Sequence, residues 1–99
     1  MITHSVIFTL KHAAGSRDES AFLRDALVLA EIPGVQAFRR LRQTSPKNDH
    51  RFGFSMEFED EAAYAAYNDH PLHVAFVRDR WVPEVAAFLE IDFIPHQDD

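Results

Sequence analysis

The stretch Arg51-Phe52-Gly53-Phe54-Ser55-Met56-Glu57-Phe58-Glu59 decides the fold. Its large apolar side chains, Phe52, Phe54, Met56 and Phe58, recur at every second position, with Gly53, Ser55 and Glu57 between them. That period belongs to a strand with one buried face. The polar turn Ser45-Pro46-Lys47-Asn48-Asp49 precedes it, and before the turn Val35 to Thr44 reads as another strand. There Val35, Ala37 and Leu41 point one way, and Gln36, Phe38, Arg40 and Arg42 the other. Two such runs joined by a short turn pair as an antiparallel hairpin.

On the C-terminal side, Asp60 is placed to cap a helix running to about Asp69, with Ala63, Ala66, Tyr67 and His70 at helical spacing. Pro71 pushes His70 out of the helical region and is itself favoured as a first helical residue, so the helix breaks at His70 and restarts. Val74, Val77 and Trp81 form an apolar stripe in the second segment, and Pro83 interrupts it. Phe88 to Pro95 then supplies a last strand with Leu89, Ile91 and Phe93 on one face. On the N-terminal side, Ile2 to Leu10 alternates as a half-buried strand with His4 on its apolar face. A loop, Lys11 to Ser16, leads to a helix capped by Asp18 or Ser16. Phe22, Ala26 and Leu29 form its buried stripe, beside Leu23, Leu27 and Ala30, and Pro33-Gly34 stops it.

The order βαββαβ predicts an α+β, ferredoxin-like domain spanning residues 1–99, with a four-stranded antiparallel sheet and helices on one face. Two helices cannot hide both sides of such a sheet. They are expected on the side of Phe52, Phe54, Met56 and Phe58. The opposite side is expected to collect Thr3, Ser5, Ile7, Phe38, Arg40, Arg42, Ser55, Glu57, Glu90 and Asp92, a mostly polar face that still carries Ile and Phe.

Composition narrows the function. With 46% hydrophobic and 12% aromatic residues, including nine Phe, the chain is built to pack a core. It has no cysteine, which excludes disulfides, thiolate metal sites and cysteine nucleophiles. Sixteen Asp and Glu against ten Lys and Arg give a formal charge of -6, which repels nucleic acid. The basic cluster Arg39, Arg40 and Arg42 does not override it, because a strand splits the cluster between two faces. No apolar run approaches the ~18 residues of a membrane span, so no membrane partner and a cytoplasmic location are expected.

Three segments carry a family resemblance: His4-Ser5-Val6-Ile7-Phe8-Thr9-Leu10-Lys11, Ile32-Pro33-Gly34-Val35, and Tyr67-Asn68-Asp69-His70-Pro71-Leu72-His73-Val74. From His4 to Pro95 the chain resembles the stress-response A/B barrel, or Dabb, domain. The resemblance implies a homodimer in which two sheets close through their open faces into a barrel, which gives Ile7 and Phe38 a partner. The family includes a plant polyketide cyclase that closes a ring by aldol condensation in a pocket between sheet and helices. By that likeness His73 matches its catalytic histidine, Tyr67 the tyrosine nearby, and His4 its first-strand pocket histidine. Asp25 stands where that cyclase has another pocket tyrosine and Phe52 where it has another pocket histidine, so the substrate does not carry over.

His73, Tyr67 and His4 are therefore the candidate catalytic set. Phe22, Asp25, Phe52 and Phe54 are the expected pocket lining for a small apolar or aromatic ligand. If Pro71 opens the helix, His73 lies in its first turn, where the dipole disfavours imidazolium and leaves a base at neutral pH. A phenol within reach can orient that base or donate to a developing oxyanion. No cofactor is expected. His4, His70 and His73 as a zinc site are disfavoured, because the break at His70 keeps His70 and His73 off a regular shared face. The competing reading is a dimeric stress or ligand-binding module in which these residues tie elements together. A cofactor-free monooxygenase of the same superfamily has no residue pattern here to select it.

Overall fold

The computed structural model describes residues 1–98. The elements are β1 (Ile2–Leu10), α1 (Arg17–Asp25) running into a 3₁₀ segment (Ala26–Glu31), β2 (Gln36–Arg42), β3 (Phe52–Phe58), α2 (Glu61–Asp69), α3 (Pro71–Phe76) and β4 (Val85–Phe93). A π-type segment (Val77–Trp81) and a last helical turn (Val82–Glu84) join α3 to β4. The strands form one antiparallel sheet of four in the order β2-β3-β1-β4, the ferredoxin-like arrangement expected. None of the described helices is long and apolar enough to cross a membrane.

Local chemistry sets the helix ends. Ser16, not Asp18, caps α1: its hydroxyl accepts from the Glu19 amide at 3.2 Å, and the buried Glu19 carboxylate reaches back to the Gly15 amide at 2.9 Å. This is a variant of the reciprocal capping box. The 3₁₀ segment ends before Gly34, whose φ of 92° suits only a residue without a Cβ. Asp60 caps α2 by accepting from Ala63 N at 2.9 Å. His70 breaks the helix where Pro71 requires, and its Nδ1 then caps α3 by accepting from Leu72 N at 3.1 Å.

The core is an aromatic row sealed by the helices. The Phe8 ring lies 4.7 Å from Phe54, 5.1 Å from Trp81 and 5.8 Å from Phe22. Phe58 stacks on Tyr64 at 4.9 Å and meets Tyr67 at 5.1 Å. Phe22, Ala26 and Leu29 are buried as the helical stripe requires, while Leu27 stays exposed. In α3 the buried anchor is Phe76, and Val74 faces solvent.

Two strands turn opposite to the expected way. Arg40 pairs across from Phe54 and Arg42 from Phe52, so both face the helices, and Phe38 packs on Phe54 at 5.7 Å. A bulge between Gln36 and Arg39, with Ala37 at φ 51°, separates Gln36 from this set and breaks the alternation. In β4, Glu90 pairs with Val6 and Asp92 with His4, which places both carboxylates on the helix side. Leu89, Ile91 and Phe93 pair with Ile7, Ser5 and Thr3 and occupy the open face, where they are exposed along with Leu41. The open face is therefore more apolar than expected.

Candidate functional site

Between the sheet and α3 lies a cavity of about 350 Å³. Its apolar wall includes Val6, Phe54, Met56, Phe76, Trp81 and Phe88, and its polar end gathers His4, Tyr67, Asn68, His73 and Glu90. The restart at Pro71 places His73 in the first turn of α3, with its ring 4.5 Å from Tyr67. The His4 ring on β1 lies 6.2 Å from Tyr67. All three candidate catalytic residues thus border one cavity.

The expected lining is met only in part. Phe54 lines the cavity. Phe22 is fully buried in the core against Phe8 and Phe76 instead, because it points from α1 into the middle of the sheet. Phe52 lies beneath the guanidinium groups of Arg42 and Arg51 at the far end of β3. Asp25 is outside, paired with Arg80, whose guanidinium also binds Glu84. That pairing holds the Glu84 carboxyl below the usual range against the opposing effect of its burial, with His12 helping at 2.7 Å. His12 and His50 are bonded to Glu84 and Thr9 respectively.

The hydrogen bonds define protonation states. His73 Nδ1 sits 3.0 Å from the Asn68 carbonyl oxygen, so Nδ1 carries the proton and donates. Nε2 keeps its lone pair and has no protein partner among the described residues. Burial pushes this imidazole below its ordinary pKa, outweighing the opposing Asn68 bond and Glu90 charge; the nearby His4 acts in the same direction as burial. Burial and then Glu90 push the Tyr67 phenol well above its ordinary range, so it stays a donor. The Tyr67 hydroxyl is also without a protein partner among the described residues, although its ring is buried and lines the cavity.

A second cluster was not foreseen. His4 Nδ1 lies 2.6 Å from Asp92 Oδ1 and 2.8 Å from the Tyr64 hydroxyl, which is itself 2.9 Å from Asp92 Oδ2 and 3.1 Å from Glu90 Oε1. The Asp92 carboxylate accepts from Nδ1–H and so orients the imidazole, leaving Nε2 for a ligand. Burial and the two carboxylates keep Tyr64 a phenol. The ligating atoms of His4, Glu90 and Asp92 lie within 4.8 Å of one another, a set that holds a cation only if Nδ1 gives up its proton. Assigning Glu90 and Asp92 to the opposite face hid the cluster from sequence reasoning. The signal present was Phe88, an aromatic at the same parity.

The fold has counterparts among known proteins. A Dabb family protein from Mesorhizobium loti, described as having a ferredoxin-like fold, is 64% identical, with 97% of each chain covered and a TM-score of 0.96. A dimeric ferredoxin-like protein of unknown function from Thermobifida fusca is 22% identical over 93% of this chain and 88% of its own, with a TM-score of 0.73. A hydroxynitrile lyase from Passiflora edulis is 12% identical over 99% of this chain and 95% of its own, with a TM-score of 0.82. At those lower identities the likeness is one of fold. No curated protein matches the chain. The model of the stress responsive A/B barrel domain matches residues 2–95, and the chain belongs to that Dabb family.

Proposed function

We propose that this protein is a lyase or cyclase that moves a proton on a small carbonyl compound, with His73 as the base, using only groups the chain supplies. One observation carries the reading: a neutral imidazole whose Nδ1–H is committed to the Asn68 carbonyl and whose Nε2 is free beside a protonated Tyr67 at the end of an open cavity. Nε2 takes the proton from an acidic C–H next to a carbonyl, and the electron pair moves onto the carbonyl oxygen. The Tyr67 hydroxyl donates to that oxygen as charge develops. In the cyclase direction the enolate carbon attacks a second carbonyl carbon, forming the carbon–carbon bond, and the alkoxide so made takes the proton back from the imidazolium. In the lyase direction Nε2 instead takes the hydroxyl proton of such an adduct, the same bond breaks, and the imidazolium returns the proton to the released carbon. His4, held by Asp92, supplies a further polar contact.

The protein is further proposed to act as a homodimer closed through the open sheet face. Leu41, Leu89, Ile91 and Phe93 are 42%, 51%, 36% and 56% exposed there, apolar area that a partner copy would cover. Phe38, expected on this face, packs inside and takes no part.

The test is exchange of the methyl protons of acetophenone in D₂O, followed by proton NMR. The protein is expected to accelerate exchange, His73→Ala to remove the acceleration, and Tyr67→Phe to lower it by roughly a hundredfold. Exchange unaffected by His73→Ala would refute the assignment. Binding of acetophenone without exchange would identify the competing ligand-binding module.

A further inference from the structure

Among the described residues, Glu90 is the one formally charged residue lining the cavity, and no Lys or Arg lines it. Its side chain is half-exposed, so the carboxylate stands at the mouth rather than in the core. It is held there by the Tyr64 hydroxyl at 3.1 Å and lies 3.7 Å from His4 Nδ1. Asp92 adds a second negative charge directly behind His4. Arg80, on the segment that carries Trp81, is paired with Glu84 and Asp25. Inside the mouth the surfaces are rings: Phe54, Tyr67, Phe76, Trp81 and Phe88. Aromatic faces attract cations and repel anions, which adds to the carboxylate in the same sense.

We infer that the cavity selects by charge: it admits uncharged or cationic aromatic carbonyl compounds and turns away carboxylates and phosphates, with Glu90 as the specificity-determining residue. This rests on the cavity being the binding site proposed above and adds the class of ligand it takes. An anion at the polar end would face Glu90 and Asp92 with no Lys or Arg among the lining residues, with His4 already paired with Asp92 and with His73 held neutral. An uncharged carbonyl meets only the donors and acceptors it needs. An ammonium group gains the carboxylate and the rings together. In a partly exposed site, one such charge contact is worth roughly tenfold in affinity.

The experiment compares three probes built on one ring: acetophenone, benzylamine and benzoate, at neutral pH. Trp81 is the only tryptophan in the chain and lines the cavity, so its indole N–H signal reports occupancy by NMR. Acetophenone and benzylamine are expected to shift that signal, and benzoate to bind at least about tenfold more weakly than acetophenone. Glu90→Gln keeps an oxygen to accept from Tyr64 and removes the charge. It should bring benzoate to within about threefold of acetophenone and weaken benzylamine by roughly tenfold relative to acetophenone. Benzoate binding as tightly as acetophenone to the native protein, or probe ratios untouched by Glu90→Gln, would overturn the selection. Acetophenone failing to move the Trp81 signal would overturn both this inference and the cavity as the site. Acetophenone binding without proton exchange would defeat the proposed reaction and leave the selection standing.

Discussion

Truncating Phe54 to alanine tests the cavity and the core together. The side chain is 2% exposed, and its ring lies 4.7 Å from Phe8, 5.7 Å from Phe38, and 6.4 Å from both Phe22 and Trp81. Removing a buried Phe costs about 3 to 5 kcal/mol, the spread reflecting how much packing the ring had. Phe54 borders open space on one side, so fewer contacts are lost and the expected cost is at the lower end, about 3 kcal/mol. Phe22 is fully buried and does not line the cavity, so Phe22→Ala is expected to cost more, about 4 to 5 kcal/mol. For a domain of this size, 3 kcal/mol corresponds to a fall in Tm of about 12 to 24 °C. Urea unfolding at a fixed protomer concentration measures both variants, because the proposed dimer would make stability depend on concentration. A loss below about 1 kcal/mol for Phe54→Ala, or a larger loss there than for Phe22→Ala, would refute the reasoning.

Acid should destabilise the protein through His73. Folding depresses its pKa, so the unfolded chain binds the proton first, and the ring's contribution is whole above about pH 6.5 and lost as pH falls from there toward the folded value. His73→Ala should flatten that acid limb in urea unfolding curves. Its stability at neutral pH should change by no more than about 1 kcal/mol, as for a residue that does little packing. Tyr64→Phe removes the hydroxyl shared by His4, Asp92 and Glu90 and should cost about 1 kcal/mol, since the ring is only part-buried. An unchanged unfolding midpoint would show that these bonds contribute nothing net. Leu89→Glu should split the proposed dimer in sedimentation velocity while changing protomer stability by less than about 0.5 kcal/mol, because the side chain is exposed within the protomer.

β3 was legible because its apolar residues serve one core and occupy one parity, Phe52 through Phe58. The break at His70 was legible because Pro71 has a steric consequence that context cannot override. The faces of β2 and β4 were not. In β2, Ala37 adopts a left-handed conformation at a bulge, and nothing in the residues around it announces the extra step. In β4, apolar residues occupy both parities: Phe88 faces the cavity while Leu89, Ile91 and Phe93 face outward. A rule that apolar means inward then chooses the more numerous set and inverts the strand. The inversion carried Glu90 and Asp92 away from His4. Of that cluster only His4 could be named, with Tyr67 and His73 beside it, from the family resemblance and the helix restart; Tyr64 carried no signal of its own.

A histidine-resolved NMR titration of the ¹⁵N-labelled protein tests the central claim most directly, since everything proposed for the site depends on the state of one imidazole. His73 is expected to titrate below about 6.5, to hold its proton on Nδ1, and to show an Nε2 signal that moves when acetophenone is added. A pKa above that value, a proton on Nε2, or an Nε2 signal indifferent to the ligand would contradict the account.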